Sequence, residues 1–181
     1  MSGLYARTLA LIASDPWRME CLRLAAGLHL PQWAIVAGFV RNAIWDEIFG
    51  VRTTLADIDL AYHCSQNLSA EQERAYERML AARGACWQVR NQARMHQHNG
   101  VMPYASSADA VSRYPELATC LSICINPVLG LYMPNQEGLE DAWSGIVRPN
   151  PRVPGSSALL HKRLHAKGWV RRWPGLRILD V

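Results

Sequence analysis

"VAGFVRNAIWDEIFGVRTTLADIDLAY", residues 36–62, switches between two hydrophobic periods, and the switch decides the architecture. Residues 33–37 read as a short apolar strand and Gly38 as a turn. Residues 39–49 then place Val40, Ile44 and Ile48 on one helical face before Gly50 closes the helix. Past the polar loop 51–54, a second strand is predicted over residues 55–63. Side chains two apart in a strand share a face, so Asp57 and Asp59 stand together while Ile58 and Leu60 turn to the core. Aspartate is disfavoured in strands, so this pair asks for a chemical reason.

A divalent metal supplies one. Magnesium prefers oxygen ligands, keeps several waters and typically joins one or two protein carboxylates to substrate phosphates. Ions so held neutralise charge on a transferring phosphoryl group and help activate the attacking oxygen. Gly38 offers the complementary half: a strand, a glycine and a helix start bring free N–H groups and the positive helix end towards an anion, with no side chain in the way. Arg41 and Asn42 fall in the first turn of that helix, with Arg41 placed to contact a phosphate. The plainer alternative is a solvent-facing Asp-x-Asp on an edge strand, with a glycine that serves only a tight turn.

Outward from this segment, helices are predicted over 4–13 and, from the Ser14-Asp15-Pro16 start signal, to about Gly27. Downstream come a solvated helix from the Ser69 capping box to Arg83 before Gly84, and a strand over 86–92. Residues 93–117 read as a long connection with a short helix near 107–114. A hairpin of 119–125 and 129–133 and a proline-punctuated linker precede a terminal helix from about Ser156. That order implies a mixed α/β or α+β sheet with helices packed on it. Length favours one domain over 1–181: N-terminal helices 1–30, a sheet-based core 31–148 and a basic helical segment 149–181.

Half of the 181 residues are hydrophobic and 19% are charged, a profile that excludes a disordered chain. The early apolar run 9–13 is too short to span a bilayer and lacks a small-residue cleavage site, so no membrane partner is expected. Five cysteines, an odd number without a Cys-x-x-Cys pair and mostly within apolar stretches, read as buried free thiols in a reducing cytoplasm. The net charge of +4 is concentrated at the C-terminal end: eight Lys/Arg and no acid lie between Ala142 and Leu179, leaving a balance of −4 elsewhere. Lys162, Arg163, Lys167, Arg171 and Arg172, interleaved with Trp169 and Trp173, suit a phosphate-bearing partner such as a nucleotide or RNA. An amphipathic helix with solvated charges is the plainer account. A His96-x-His98 strand could ligate zinc but has no neighbouring ligands to complete a set, so these read as loop histidines. Asp141 could add an acid near Asp57 only if folding brings it there.

The stretches "LPQWAIVAGFVRNAIWDEIFG", "DIDLAY", "VRNQARMHQHNG", "PYASSADAVSRYPELAT", "GLEDAWSGIVRPNP" and "KGWVRRWP" resemble a bacterial nucleotidyltransferase-like family over about residues 17–173. That family is similar in fold to the DNA polymerase beta-type nucleotidyltransferases. The resemblance implies an α+β fold, a mixed sheet flanked by helices with a C-terminal helix. It implies transfer of a nucleoside monophosphate from an NTP to an acceptor, with Asp57 and Asp59 as catalytic carboxylates holding Mg²⁺ or Mn²⁺. Gly38, Phe39, Arg41 and Asn42 would then bind phosphate, Asn91 would bind nucleotide, and Arg94 and His96 would contact substrate. Two departures stand out. Phe39 occupies a place where the superfamily usually has serine or a second glycine. The strand 86–92 contains no third carboxylate, so Asn91 or Gln92 takes its place; a neutral amide can orient a hydroxyl but cannot take its proton. The acceptor is left open, with RNA one candidate, as is oligomeric state. Two other functions remain: a nucleotide- or RNA-binding protein that has lost catalysis, and a toxin-like enzyme that modifies tRNA.

Overall fold

The computed structural model describes residues 3–81, 85–128 and 130–179. Two helices, α1 (Gly3–Ala13) and α2 (Pro16–Ala26), lead into β1 (Ala34–Val36), α3 (Gly38–Phe49), β2 (Ile58–Tyr62), α4 (Ala70–Ala81) and β3 (Trp87–Asn91). There follow α5 (Gln92–Asn99), α6 (Ser107–Ser112), the hairpin of β4 (Ser122–Asn126) and β5 (Gly130–Asn135), and α7 (Leu139–Trp143). The chain closes with β6 (Ile146–Val147), α8 (Ser156–Lys167), α9 (Trp169–Arg172) and β7 (Arg177–Ile178).

Strands β1 to β5 form one mixed sheet in the order β3-β2-β1-β4-β5. Strand β1 is antiparallel to both β2 and β4, while β2 and β3 run parallel. This is the α+β arrangement, with helices flanking a mixed sheet, that the sequence resemblance implies. On one face Ile35, Ile58, Leu60, Tyr62, Val89 and Ile123 are buried with α1, α2 and α3 residues in the main core. The opposite face carries small side chains, Ala34, Val36, Ala61 and Cys124, packed with Val111 of α6. The period-2 alternation of β2 therefore sends bulk to the core and leaves a shallow floor on the side where Asp59 stands.

An exposed edge strand would invite pairing with another chain. Helix α4 prevents this at β3: Glu77 accepts from the Val89 N–H at 2.9 Å and Glu73 from the Asn91 N–H at 2.7 Å. The C-terminal segment is anchored on α3. Trp169 and Trp173 meet Trp45 edge to face at 5.7 and 5.0 Å, and the Trp173 indole donates to Asp46 at 2.8 Å.

Several expectations need correction. Strand β2 starts at Ile58, so Asp57 sits just before it. Residues 92–99 are helix α5, not loop or strand, because Asn91 caps the Ala93 N–H at 3.1 Å and starts a helix with no apolar stripe to announce it. The terminal helix is two, broken by Gly168 at φ +59°, and the pairing of β6 with β7 was not expected. The predicted end of α4 at Arg83 and Gly84, and the Leu129 start of the hairpin's second strand, lie outside the described residues. Of the cysteines, Cys21, Cys120 and Cys124 are buried, Cys64 is half-buried and Cys86 is exposed, and all five are free thiols. No helix among the described residues is long and apolar enough to cross a membrane.

Candidate functional site

Strand β1 delivers the chain to Ala37, which turns it into α3 at φ +55°, ψ −114°. A residue bearing a Cβ is strained there by about 1–3 kcal/mol and stays only where its surroundings dictate the angle. Here the Ala37 N–H donates to the Leu121 carbonyl at 2.9 Å, and the Ala37 carbonyl accepts from the Arg41 N–H at 3.1 Å. Ala37→Gly should therefore raise the urea midpoint by the equivalent of about 1 kcal/mol. A lowered midpoint would mean that the turn stores no strain.

The next residue is glycine for a different reason. A Cβ on Gly38 would meet Arg41 Nη2 at 3.5 Å and Asn42 Oδ1 at 3.7 Å, both ordinary contacts, so packing does not demand glycine. The space such a methyl would take belongs to a cavity of about 80 Å³ lined by Gly38, Arg41, Asn42, Asp57, Asp59, Lys167 and Arg172. Among the described residues no side chain caps the first turn of α3, the arrangement in which a helix start can take an anion. Gly38→Ala should keep its melting temperature yet bind an NTP about tenfold more weakly, because only close backbone approach is lost. Equal affinity in a calorimetric titration would remove Gly38 from the site.

Asp57 and Asp59 meet in that cavity. Asp59 lies opposite Gln88 in the β2–β3 register, and Gln88 Nε2 donates to Asp57 Oδ2 at 2.6 Å, fixing the orientation of that carboxylate. Burial, and then the neighbouring Asp57, hold the Asp59 carboxyl above its ordinary value; Lys167, Arg41 and Arg90 pull the other way. Two carboxylates held together against their repulsion, with one side open, match the donor set that magnesium takes along with substrate phosphates and water. Among the described residues no group of three His, Cys, Asp or Glu could form a metal site by itself.

The cations come from both ends of the chain. Arg41 is only 6% exposed. Its guanidinium lies 4.8 Å from the Trp45 ring centroid and 4.5 Å from that of Trp169. Its Nη1 donates to Thr119 Oγ1 at 2.9 Å, and Nε and Nη2 donate to Asn42 Oδ1 at 3.2 and 2.9 Å. Burial lowers the Arg41 pKa to about 10, still a cation at neutral pH, with Glu116 opposing the shift. Glu116, itself fully buried, accepts from Thr119 Oγ1 at 3.1 Å and pairs with Arg163 of α8. A polar chain thus runs from α8 through Glu116 and Thr119 to Arg41 at the start of α3. The indole N–H of Trp169, another cavity residue, is buried without a partner among the described residues.

On the other side of Asp59 lies a second cavity of about 220 Å³, walled by Gln88, Arg90 and Gln92 of the β3 side, Tyr114, Pro115 and Arg163, with Val36 and Ala61 among its floor residues. Asp59, Ala37, Thr119 and Arg163 line both cavities.

The structure thus brings Asp57, Asp59, Gly38, Arg41 and Asn42 together. Others are used elsewhere. The Phe39 side chain is buried in the core, packed with Trp17 and Arg18, so it could meet a ligand only through its main chain. Asn91 spends its amide on the backbone of Cys64, Asn67 and Ala93 and lines neither cavity; Gln88 stands beside Asp59 instead, while Gln92 joins the larger cavity. Arg94 is paired with buried Glu73. His96 and His98 sit two apart on helix α5, which points them to different sides and rules out a shared metal. Asp141 is held by Arg148 at 2.8 and 3.0 Å. Missed in the sequence were Gln88, Arg90, Tyr114, Glu116 and Thr119. The four-residue spacing of Arg163 and Lys167, which puts both on one helical face, was the available sign that this face looks inward.

A family model described as nucleotidyltransferase matches residues 23–178. A protein whose NMR structure reveals a CCA-adding enzyme head domain superposes with a TM-score of 0.83 at 30% identity, over 96% of this chain and 95% of that one. A CCA-adding enzyme solved with CTP superposes at 0.59 and 19% identity, covering 94% of this chain. The Thermotoga maritima CCA-adding enzyme complexed with tRNA superposes at 0.60 and 18% identity, covering 98%. The chain spans 42% of the length of each of these two enzymes, and at that identity they share the fold alone. Among curated proteins none matches.

Proposed function

The chain belongs to the nucleotidyltransferase family, and from that premise we propose that it transfers a nucleoside monophosphate from an NTP to an acceptor, with pyrophosphate leaving, in a reaction that depends on Mg²⁺ or Mn²⁺. The observation that carries this reading is the meeting of Asp57 and Asp59 with Gly38, Arg41, Lys167 and Arg172 in one cavity. Asp57 and Asp59 would hold the metal, whose charge offsets that developing on the phosphates. The hydrogen bond from Gln88 fixes the orientation of the Asp57 carboxylate. The open first turn of α3 and the absent side chain of Gly38 admit the triphosphate, and Arg41, Lys167 and Arg172 face its negative charge. Arg41 cannot swing away, because Thr119, Asn42 and two tryptophans fix it, so its field is organised before the ligand arrives.

Titrating each of the four NTPs into the protein with and without Mg²⁺ tests the reading. Magnesium-dependent binding of at least one NTP, lost in Asp57→Asn/Asp59→Asn, is the expected result. Tight binding indifferent to both magnesium and mutation would favour a nucleotide-binding protein without catalysis, the alternative that the acid-free strand β3 supports.

A further inference from the structure

We propose that the acceptor is a phosphomonoester, attacking through an already ionised phosphate oxygen, and that Arg90 helps bind it in the 220 Å³ cavity on the far side of Asp59. The inference rests on the nucleotidyl-transfer reading and names the second substrate class of the same site.

An alcohol acceptor must surrender its proton during attack, and a positioned base within hydrogen-bond reach is the usual recipient. The cavity offers none to spare. Asp59 is the only acid among the described residues that line it, and it is assigned to the metal. Asp57 accepts from Gln88, and Glu116 is committed to Arg163 and Thr119. The remaining polar wall is Gln88, Gln92, the phenol of Tyr114, the Thr119 hydroxyl, which is already engaged with Arg41 and Glu116, and two guanidinium groups, Arg90 and Arg163. Such a wall repels nothing anionic and donates hydrogen bonds in abundance. Arg90 bonds Glu77 and the Val89 carbonyl through Nη1, and no other bond of its guanidinium is seen among the described residues. Its fork is thus half free for the bidentate contact that phosphate favours.

A phosphomonoester removes the need for a base, since its second ionisation lies near pH 6 and it is largely a dianion at neutral pH. One of its oxygens forms the new bond to the α-phosphorus of the NTP. The bond from the α-phosphorus to the α,β-bridging oxygen breaks, and its electron pair leaves with pyrophosphate. The product is a diphosphate diester joining nucleoside and acceptor, and no proton has to move.

The test pairs each phosphomonoester with its alcohol: glycerol 3-phosphate with glycerol, ribose 5-phosphate with ribose, and a 5′-phosphorylated oligoribonucleotide with its 5′-hydroxyl form. Pyrophosphate release and product mass are followed with NTP and Mg²⁺. Acceptor binding is measured separately by calorimetry with the α,β-methylene analogue of the NTP in place. Expected are turnover and binding with a phosphomonoester and neither with its alcohol; the first two pairs against the third separate a small-molecule acceptor from a nucleic-acid end. Arg90→Gln should raise the KM and Kd for the phosphomonoester about 10- to 100-fold, the worth of a charge-assisted hydrogen bond, with partial rescue by Arg90→Lys. Turnover of an alcohol, or no binding of any phosphomonoester while the NTP analogue still binds, overturns the inference and leaves the transfer reading standing. Failure of every NTP to bind would overturn that reading instead.

Discussion

Asp57→Asn/Asp59→Asn protein is expected to lose transfer activity by about 10³-fold or more, the several kcal/mol that a bound metal contributes to transition-state charge, while melting a few degrees above the wild type. The two halves of the result have one cause. Burial and the adjacent Asp57 hold the Asp59 carboxyl above its ordinary value, so the folded chain keeps that proton more tightly than the unfolded chain does. The ionised carboxylate therefore opposes folding. The penalty is absent below the unfolded pKa and appears as pH rises towards and through the raised folded one, so at neutral pH asparagine lifts it. Thermal melts of single Asp59→Asn protein against wild type should converge below about pH 4, where both side chains are neutral. Inactive protein that is also less stable at neutral pH would mean that the aspartates support the fold, and that their arrangement is not held ready for a cation.

How much of this the sequence disclosed follows from how far apart the interacting residues lie. The strand–Gly38–helix unit and the nearness of Asp57 and Asp59 are written in local periodicity, and both emerge in the structure, with β1 shortened to Ala34–Val36, β2 shortened to Ile58–Tyr62 and Asp57 left just outside the strand. The neighbour of Asp59 was not written there. Which β3 residue stands beside it depends on register, and the register selects Gln88, three residues before Asn91. Helix α5 escaped notice because its residues have no apolar stripe, only an asparagine cap that looks the same in a turn. The inward aim of Arg163 and Lys167 was ambiguous for another reason: a charged helix face reads as solvated until the opposing surface is known, and here Arg163 meets Glu116, 47 positions away in the chain, while Lys167 lines the cavity that holds Asp59.

Glu116→Ala should destabilise the protein by about 3 kcal/mol, because removing one member of a buried charge network leaves the others desolvated and unpaired. Thr119 would lose its acceptor and Arg163 its partner. Arg41, whose pKa burial already lowers to about 10 and Glu116 helps to restore, would be driven lower still. The wild-type side chain is fully buried, so solvent cannot stand in for it. Glu116→Gln keeps the volume and an oxygen for Thr119, and should be about half as costly. Urea denaturation of both variants, followed by the same pair in an Arg163→Gln background, separates the terms: if the ion pair holds the network, the double mutant is less damaged than the two single losses summed. The same variants should weaken NTP binding even where they remain folded, since Thr119 positions Arg41 at the cavity wall. A Glu116→Ala protein of wild-type stability and affinity would mean that Arg163 simply moves into solvent and that α8 contributes no fixed charge to the site.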